Sequence, residues 1–283
     1  MNEETFVIGN KSEQRGGQKV GFIGCGKMAS AIIKGVLDSK FLKPEQIIAS
    51  EISEEFANQK KSELKIEVTT DNKIVAKNSD VIFLATKPHF IKEVLNEIKQ
   101  ELTQDKLIVS IAAGVSTKTI EEEIGKEIAV IRVMPNAPAL IQEGMSGISK
   151  GAFAQKEHVE FVQEFLSNIG KCIVIEESQL DILTAISGSG PAFFYQIINE
   201  MALAGEKLGL SYEKSLILAA QTAIGSAKMV LNSDLTPADL IKSVATKGGC
   251  TQVGVDFMEN QNTKELFYEL IKKTSEKAQA LGS

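Results

Sequence analysis

A glycine-rich segment near the amino terminus has residue types and spacing that could do chemistry. The segment reads Gly24-Cys25-Gly26-Lys27-Met28-Ala29. It fits the pattern G-x-G-x-x-A, in which the first glycine permits a tight turn, the second lets a pyrophosphate approach the backbone, and the alanine lets a helix pack on a strand. The pattern alone is weak, but here it follows an apolar run and opens a helical pattern. The sequence therefore predicts a dinucleotide site that includes Gly24, Gly26, Lys27 and Met28, rather than a tight turn without a ligand.

An acidic residue follows at the distance expected for a ribose contact. Ser50 and Glu51 end the second apolar run, and a carboxylate about 20 residues beyond the glycines ordinarily binds the ribose 2′-hydroxyl. The same charge would repel a 2′-phosphate, and the next basic residues are Lys60 and Lys61 rather than an arginine. We therefore expect NADH or NADPH as the cofactor, with NADH favoured. The alternative is a solvated glutamate at the end of a strand.

Histidine and cysteine are scarce in this chain. The two histidines, His89 and His158, and the three cysteines, Cys25, Cys172 and Cys250, lie far apart. A four-ligand zinc site would need nearly all of them at no recognisable spacing. We therefore expect no metal site, and neither a Ser-His-Asp triad nor a carboxylate pair is evident.

Composition excludes several other classes of protein. The 283 residues carry 31 basic and 37 acidic side chains, a net charge of −6, which argues against a nucleic-acid or membrane-surface binder. No apolar run is long enough to span a bilayer, and the odd cysteine count without CxxC spacing fits a reducing compartment. We expect a cytoplasmic protein whose residues 1–18, which are polar, form a flexible extension.

The elements that must position these residues alternate between strands and helices in residues 19–176. The strand candidates are Val20–Gly24, Gln46–Ser50, Lys65–Thr69, Val81–Ala85, Leu107–Ile111, Ile128–Met134, Ser146–Ser149 and Lys171–Ile175. The longer runs are continuously apolar, as in strands covered on both faces. Alternation with helical patterns predicts an α/β domain with a parallel sheet and right-handed crossovers.

Residues 177–283 have a different character, without a convincing strand. The helix candidates are Gln179–Ala185, Pro191–Leu208, Tyr212–Leu231, Pro237–Ser243, Thr251–Glu259 and Lys264–Leu281. The second of them is apolar around most of its circumference, and such helices are buried. A domain of this size hides only limited apolar surface alone. We therefore expect a homodimer through an all-helical domain. The alternative is the core of a monomeric bundle.

Six motifs in this order resemble the pyrroline-5-carboxylate reductase family from Val20 to the C-terminus. Besides the glycine segment, they are Ala85-Thr86-Lys87-Pro88, Ser110-Ile111-Ala112-Ala113-Gly114-Val115, Arg132-Val133-Met134-Pro135-Asn136, Ser187-Gly188-Ser189-Gly190-Pro191-Ala192 and Thr246-Lys247-Gly248-Gly249-Cys250-Thr251. The resemblance implies a Rossmann domain followed by an all-helical dimerisation domain, with dimers that often form decamers. It also implies reduction of the imine of 1-pyrroline-5-carboxylate to L-proline, the last step of proline synthesis.

The resemblance assigns roles to individual residues. It places Thr86, Lys87 and Pro88 beside the nicotinamide ribose and Asn72 near the adenosine ribose. The nicotinamide walls are Ala112, Ala113, Met134, Pro135 and Asn136. The substrate-binding residues are Ser187, Gly188, Ser189, Gly248, Gly249, Cys250 and Thr251. Successive backbone N–H groups that lead into a helix suit the substrate carboxylate, and Thr251 is the candidate catalytic residue, with its hydroxyl near the imine nitrogen. Such a reaction depends on orientation and electrostatics more than on acid–base groups.

This sequence departs from the family pattern in the last motif. Lys247 stands where many members have proline, and Cys250 replaces a common threonine or alanine. We expect Lys247 to face water, with assistance to carboxylate binding as the alternative, and only the backbone of Cys250 to act.

Two other functions use the same layout. β-Hydroxyacid dehydrogenases, which oxidise 2-hydroxy and related acids, carry a catalytic lysine four residues beyond a glycine segment, but here that position is Phe194. A related imine reductase or a nucleotide-sensing protein on this fold also remains open, since fold does not fix function. The second ligand loop at Gly248–Thr251 argues against a sensor.

Overall fold

The computed structural model describes residues 17–282. Nearly all of the predicted extension, residues 1–18, lies outside the described residues. Residues 17–188 together with residues 275–282 form one compact unit, and residues 189–274 form a second.

The first unit is built on a single sheet. Within the described residues its eight strands are β1 Val20–Ile23, β2 Ile47–Ser50, β3 Glu67–Thr69, β4 Val81–Leu84, β5 Leu107–Ser110, β6 Ala129–Met134, β7 Gly144–Lys150 and β8 Gly170–Val174. Their order is β3-β2-β1-β4-β5-β6-β7-β8, and the first six strands are parallel. Every residue of β1, β2, β4 and β5 is buried, because helices cover both faces of the sheet. The predicted Rossmann-type α/β domain is confirmed.

Strand β7 departs from the predicted parallel sheet. It runs antiparallel to β6, with Arg132 opposite Ser149 and Met134 opposite Gly147. The reason is the short connection between the two strands, which contains only a 3₁₀ turn at Ala137–Ile141. A parallel neighbour would need a crossover of a dozen or more residues.

Helices of the first unit cover the sheet and carry its core. They are α1 Lys27–Asp38, α2 Glu54–Leu64, α3 Asn72–Lys77, α4 Ile91–Ile98, α5 Thr117–Ile124, α6 Lys156–Leu166 and α7 Leu180–Leu183. The Phe22 and Phe83 rings stack at 4.7 Å between centroids, and Phe165 of α6 packs on Phe83 at 4.9 Å. This aromatic cluster fixes α6 on the strands β1 and β4.

The carboxyl ends of the central strands meet at one edge of the sheet. The register pairs Ile23 with Leu84, Leu84 with Ser110, and Ser110 with Arg132. The segments that follow these strands therefore emerge side by side. Ligands of doubly wound sheets bind at this edge.

The second unit is helical throughout its described residues. Its helices are α8 Gly190–Lys207, α9 Tyr212–Asn232, α10 Pro237–Val244, α11 Cys250–Asn260 and most of α12 Thr263–Gly282. Pro191 lies in the first turn of α8, where its missing N–H costs nothing. Large apolar side chains on α8 and α9 are exposed in the single chain, with Phe194 at 61 % and Ile217 at 69 %. Apolar surfaces of this kind mark interaction sites. Among the described helices, none is both long enough and apolar enough to cross a membrane.

Candidate functional site

The glycine turn after β1 has the geometry that a pyrophosphate requires. Gly24 has φ of +89°, and a Cβ added there would lie 3.0 Å from the carbonyl oxygen of Ala85, so a side chain is excluded by both conformation and contact. At Gly26 a Cβ would meet no atom within 4 Å. Gly26 is also the N-cap of α1, and no side chain caps this helix. The first N–H groups of α1 and the open space over Gly26 together fit an anionic ligand.

Glu51 lies against this turn. Its Oε1 accepts a hydrogen bond from the backbone N–H of Cys25 at 3.1 Å, and its Oε2 accepts one from the N–H of Ile52 at 3.2 Å. The two bonds hold the carboxylate at the end of β2, where a dinucleotide presents its ribose hydroxyls. Burial raises the pKa of the neighbouring Cys25 thiol to about 11. The thiol between the two glycines is therefore protonated and unreactive.

Ser50 and Asn72, both predicted near the adenosine ribose, contact each other. The Ser50 hydroxyl donates to Asn72 Oδ1 at 2.6 Å, and Asn72 Nδ2 donates to Glu97 Oε2 at 2.7 Å. Glu97 of α4 is absent from the predicted site residues. Nothing in its local sequence indicates this contact, because α4 and Asn72 are brought together only by the fold.

The segment after β4 contributes an unsatisfied hydroxyl. Thr86 Oγ1 is buried and has no hydrogen-bond partner within the described residues, while the Thr86 methyl group would lie 3.1 Å from a Cβ at Gly24. Lys87 and Pro88 follow, both exposed, at the start of a 3₁₀ turn. An orphaned buried hydroxyl is unusual in native proteins. It occurs here against the glycine turn that fits the dinucleotide.

A closed hydrogen-bond network joins Asn136 to the end of the first unit. Asn136 Nδ2 donates to the carbonyl oxygen of Ser187 at 3.1 Å and to its hydroxyl at 3.2 Å. Asn136 Oδ1 accepts from the N–H of Met145 at 2.9 Å, and the Ser187 hydroxyl donates to the Met145 carbonyl at 3.3 Å. Ser187 lies in a π-helical turn, Thr184–Gly188. The structure therefore brings together Asn136 and Ser187, which the sequence placed in the cofactor wall and the substrate site.

A second, partly buried hydrogen-bond network is centred on Glu177. Glu177 accepts hydrogen bonds from the N–H of Thr117 at 2.8 Å and from its hydroxyl at 2.6 Å. Arg132 of β6 donates to the same carboxylate at 3.1 Å. Glu177 therefore connects the start of α5 to β6. Sequence reasoning missed it, because a glutamate in an acidic loop carries no local signal of burial.

The loop Gly248–Thr251 belongs to the second unit. Gly248 has φ of +79°, and the N–H of Gly249 donates to the Thr246 carbonyl at 2.9 Å. Gly249 is the N-cap of α11 and, like Gly26, provides no side-chain cap. Cys250 is exposed and Thr251 is half-buried. The loop therefore leaves the first N–H groups of α11 without a side-chain partner, as an anion-binding turn requires.

The chain is similar to known families over nearly all of its length. Residues 177–281 match a family described as pyrroline-5-carboxylate reductase dimerisation, and residues 19–114 match one described as NADP oxidoreductase, coenzyme F420-dependent. The pyrroline-5-carboxylate reductase of Methanosarcina acetivorans is 38 % identical, over 94 % of this chain and 98 % of that protein. That of Aquifex aeolicus is 37 % identical, over 93 % and 97 %.

Solved structures give the same result. A pyrroline-5-carboxylate reductase from Coxiella burnetii superposes with a TM-score of 0.89 at 32 % identity, covering 94 % of this chain and 99 % of that one. The pyrroline carboxylate reductase of Plasmodium falciparum, solved with NADP bound, superposes with a TM-score of 0.83 at 33 % identity, covering 94 % and 98 %.

Proposed function

The chain belongs to the pyrroline-5-carboxylate reductase family, and we propose that it uses NADH in preference to NADPH for the reduction of 1-pyrroline-5-carboxylate to L-proline. It is an NAD(P)H-dependent oxidoreductase of this reaction. The bound reduced nicotinamide would supply the hydride that the imine carbon accepts.

Two helix N-termini without a side-chain cap support the proposal, and each follows a turn that contains a glycine of positive φ. One is the start of α1 at Gly26 and the other is the start of α11 at Gly249. Both present backbone N–H groups to an anion. The first suits the pyrophosphate of a dinucleotide, and the second suits the carboxylate of the substrate.

The cofactor residues follow from the carboxyl edge of the sheet. Gly24, Gly26, Lys27 and Met28 would hold the pyrophosphate, Ser50, Glu51 and Asn72 the adenosine ribose, and Thr86, Lys87 and Pro88 the nicotinamide ribose. The walls of the nicotinamide pocket would be Ala112, Ala113, Met134 and Pro135. The orphaned hydroxyl of Thr86 supports this assignment, since a buried polar group without a protein partner is rare and a bound ligand would supply one. The sequence also placed Asn136 in this wall, but its side-chain amide is committed to Ser187 and Met145.

The substrate residues have two sources. The backbone N–H groups of Gly248, Gly249 and Cys250 would bind the carboxylate, and the Thr251 hydroxyl would hydrogen-bond the imine nitrogen and supply or relay its proton. We also assign Ser187, Gly188 and Ser189 to the binding of the substrate. Orientation of this kind can contribute most of the rate enhancement without a strong acid or base.

The preference for NADH rests on Glu51. Its carboxylate is fixed by two backbone N–H groups, so it cannot turn away from a 2′-phosphate without losing both bonds. Like charges at contact distance cost several kcal/mol in a partly desolvated site. The NADP-bound relative from Plasmodium falciparum shows that the family accommodates NADP as well.

The assembly and location complete the proposal. Residues 19–176 would form the dinucleotide domain and residues 177–283 the domain for dimerisation and substrate binding. The match to a dimerisation family and the exposed apolar faces of α8 and α9 support a homodimer, and we propose that dimers assemble into a decamer. The unpaired cysteines support a reducing compartment, the cytoplasm.

The decisive assay compares kcat/KM for NADH and NADPH with 1-pyrroline-5-carboxylate as substrate. We expect the wild-type enzyme to favour NADH and Glu51→Ser to shift the ratio toward NADPH by about ten-fold or more, about 1.4 kcal/mol. Glu55→Ser is the matched control, since Glu55 is an exposed carboxylate on the following helix. A wild-type preference for NADPH would refute the role of Glu51.

A second variant tests the substrate site. Thr251→Ala should lower kcat/KM by about ten-fold or more, because it removes the hydroxyl proposed to contact the imine. Thr251→Ser keeps the hydroxyl and should retain most of the activity. Wild-type turnover in Thr251→Ala would remove Thr251 from the mechanism. Activity with a 2-hydroxy acid, or none with any imine, would favour the dehydrogenase or the sensor instead.

A further inference from the structure

We infer that Asn136 is a positioning residue, which holds the π-helical turn Thr184–Gly188 on the end of β6 and leaves neither donor proton for the cofactor. The inference rests on the proposed function, because Ser187 and Gly188 in this turn are the proposed substrate residues.

The two donor protons of the Asn136 side chain are both used by protein contacts. An asparagine amide has two donor protons and a carbonyl acceptor. Nδ2 donates to the carbonyl and hydroxyl oxygens of Ser187, and Oδ1 accepts from the N–H of Met145. Asn136 is only 8 % exposed. Both donor protons are therefore engaged, while the carbonyl oxygen keeps one of its two lone pairs, so a ligand that needs a donor would have to break one of these bonds.

The sequence explains why Ser187 needs an outside donor. In a continuous α-helix the carbonyl of Ser187 would accept from the residue four positions on, but that residue is Pro191, which has no N–H. The next N–H, of Ala192, donates to the carbonyl of Ser189 at 3.0 Å. Asn136 supplies a donor in their place. The amide thus compensates for the proline that starts α8.

Apolar contact fixes the same turn to the same strand end. A Cβ at Gly188 would lie 3.2 Å from the terminal methyl of Met134, the last residue of β6. The Ser187 hydroxyl also donates to the Met145 carbonyl near the start of β7. The turn is therefore held at two strands, and π-helical turns are frequent at functional sites.

Loss of the amide should affect the imine substrate and spare the cofactor. Without its donors, the Ser187 carbonyl is left unsatisfied and the turn loses its fixed position. Small displacements of substrate-positioning groups lower rates strongly. Gly26 and Glu51, for which dinucleotide contacts are proposed, follow β1 and β2 and, within the described residues, share no hydrogen bond with this network.

The test uses Asn136→Asp, which keeps the shape and the acceptor for Met145 but removes both donors. We expect the NADH dissociation constant, measured by fluorescence titration, to stay within about two-fold of wild type. The KM for 1-pyrroline-5-carboxylate should rise and kcat should fall, with kcat/KM at least about ten-fold lower. Asn78→Asp is the matched control, because Asn78 likewise donates to a backbone carbonyl, that of Ile74, away from the site. It should leave all three constants unchanged.

Hydrogen exchange of the wild-type enzyme gives an independent readout that does not require the variant to fold. Backbone amides of residues 184–188 should be protected without NADH and should gain no protection when NADH is added. In Asn136→Asp they should exchange faster. A ten-fold loss of NADH affinity, unchanged turnover, or protection that appears only with NADH would each overturn the inference. A wild-type enzyme that binds NADH but does not reduce the imine would refute the proposed function alone, since the binding and exchange results still test Asn136.

Discussion

Glu177 and Arg132 form a partly buried ion pair whose contribution to stability can be measured by a double-mutant cycle. The perturbations are Glu177→Gln, which removes the charge at constant shape, Arg132→Met, which replaces the cation with an apolar chain, and the two together. Each single change leaves the other partner, itself at least partly buried, without its counter-charge, whereas the double change removes both charges.

The expected magnitudes follow from the geometry. Glu177 accepts from the N–H and hydroxyl of Thr117 and from Arg132, and hydrogen bonds to a charged group contribute about 1.5–3 kcal/mol each. The side chains of Arg132 and Glu177 are 10 % and 27 % exposed, so water screens the pair in part. We therefore expect Glu177→Gln to cost about 2–3 kcal/mol, and the double variant to be more stable than the sum of the single changes by about 1–2 kcal/mol.

The assay is equilibrium unfolding in urea, followed by circular dichroism. All variants are compared at one protein concentration, because dimerisation makes stability concentration-dependent. The exposed pair Lys118 and Glu122 on α5 serves as the control cycle and should give a coupling below about 0.5 kcal/mol. A coupling of that small size for Glu177 and Arg132 would refute the reasoning, since it would show that the two side chains act independently.

Two further predictions concern single side chains. Thr86→Val should raise the free energy of unfolding without cofactor by about 1 kcal/mol, because it removes a buried hydroxyl that has no partner; no gain in urea unfolding would contradict this. Burial lowers the pKa of His158, whose Nδ1 accepts from the N–H of Gln155. Its contribution to stability should therefore be complete above about pH 6.5, the unfolded value, and lost as the pH falls through the lowered folded pKa. His158→Gln, which keeps an acceptor without this titration, should flatten the pH dependence; an unchanged profile would contradict it.

Most of the fold was predictable because its signals are local. Continuous apolar runs marked the strands β1, β4 and β5, since these are covered on both faces. The predicted helix Pro191–Leu208 matches α8 closely, since Pro191 lies in its first turn and Gly209, with φ of +100°, follows its end. The direction of β7 was not predicted from its residues. It depends on the length of the connection from β6, and a sequence pattern gives strand type without giving strand direction.

The features of the candidate site also separate into those that the sequence predicts and those that it does not. The glycine turns at Gly24 and Gly248 were predictable, because their positive φ angles favour glycine and the glycines are visible in the sequence. The contacts of Glu97, Glu177 and Asn136 were not predictable. Glu97 lies 25 residues from its partner Asn72, and Glu177 lies 60 residues from Thr117 and 45 from Arg132. Asn136 lies 51 residues from Ser187 and 9 from Met145. An ordinary polar residue shows no mark of a partner so distant in the chain.

This division has a consequence for how the site tolerates substitution. The proposed ligand contacts at Gly26 and Gly249 are made by backbone N–H groups, so the side chain between or beside the glycines matters little, as at Cys250, which is exposed. The position of such a backbone segment depends on side chains that touch no ligand. Asn136 holds one turn and Glu177 anchors the start of α5. We therefore expect the departures from the family motif at Lys247 and Cys250 to be compatible with activity. Conservative changes at Asn136 or Glu177 should not be, because each removes donors or charge that a buried network cannot replace.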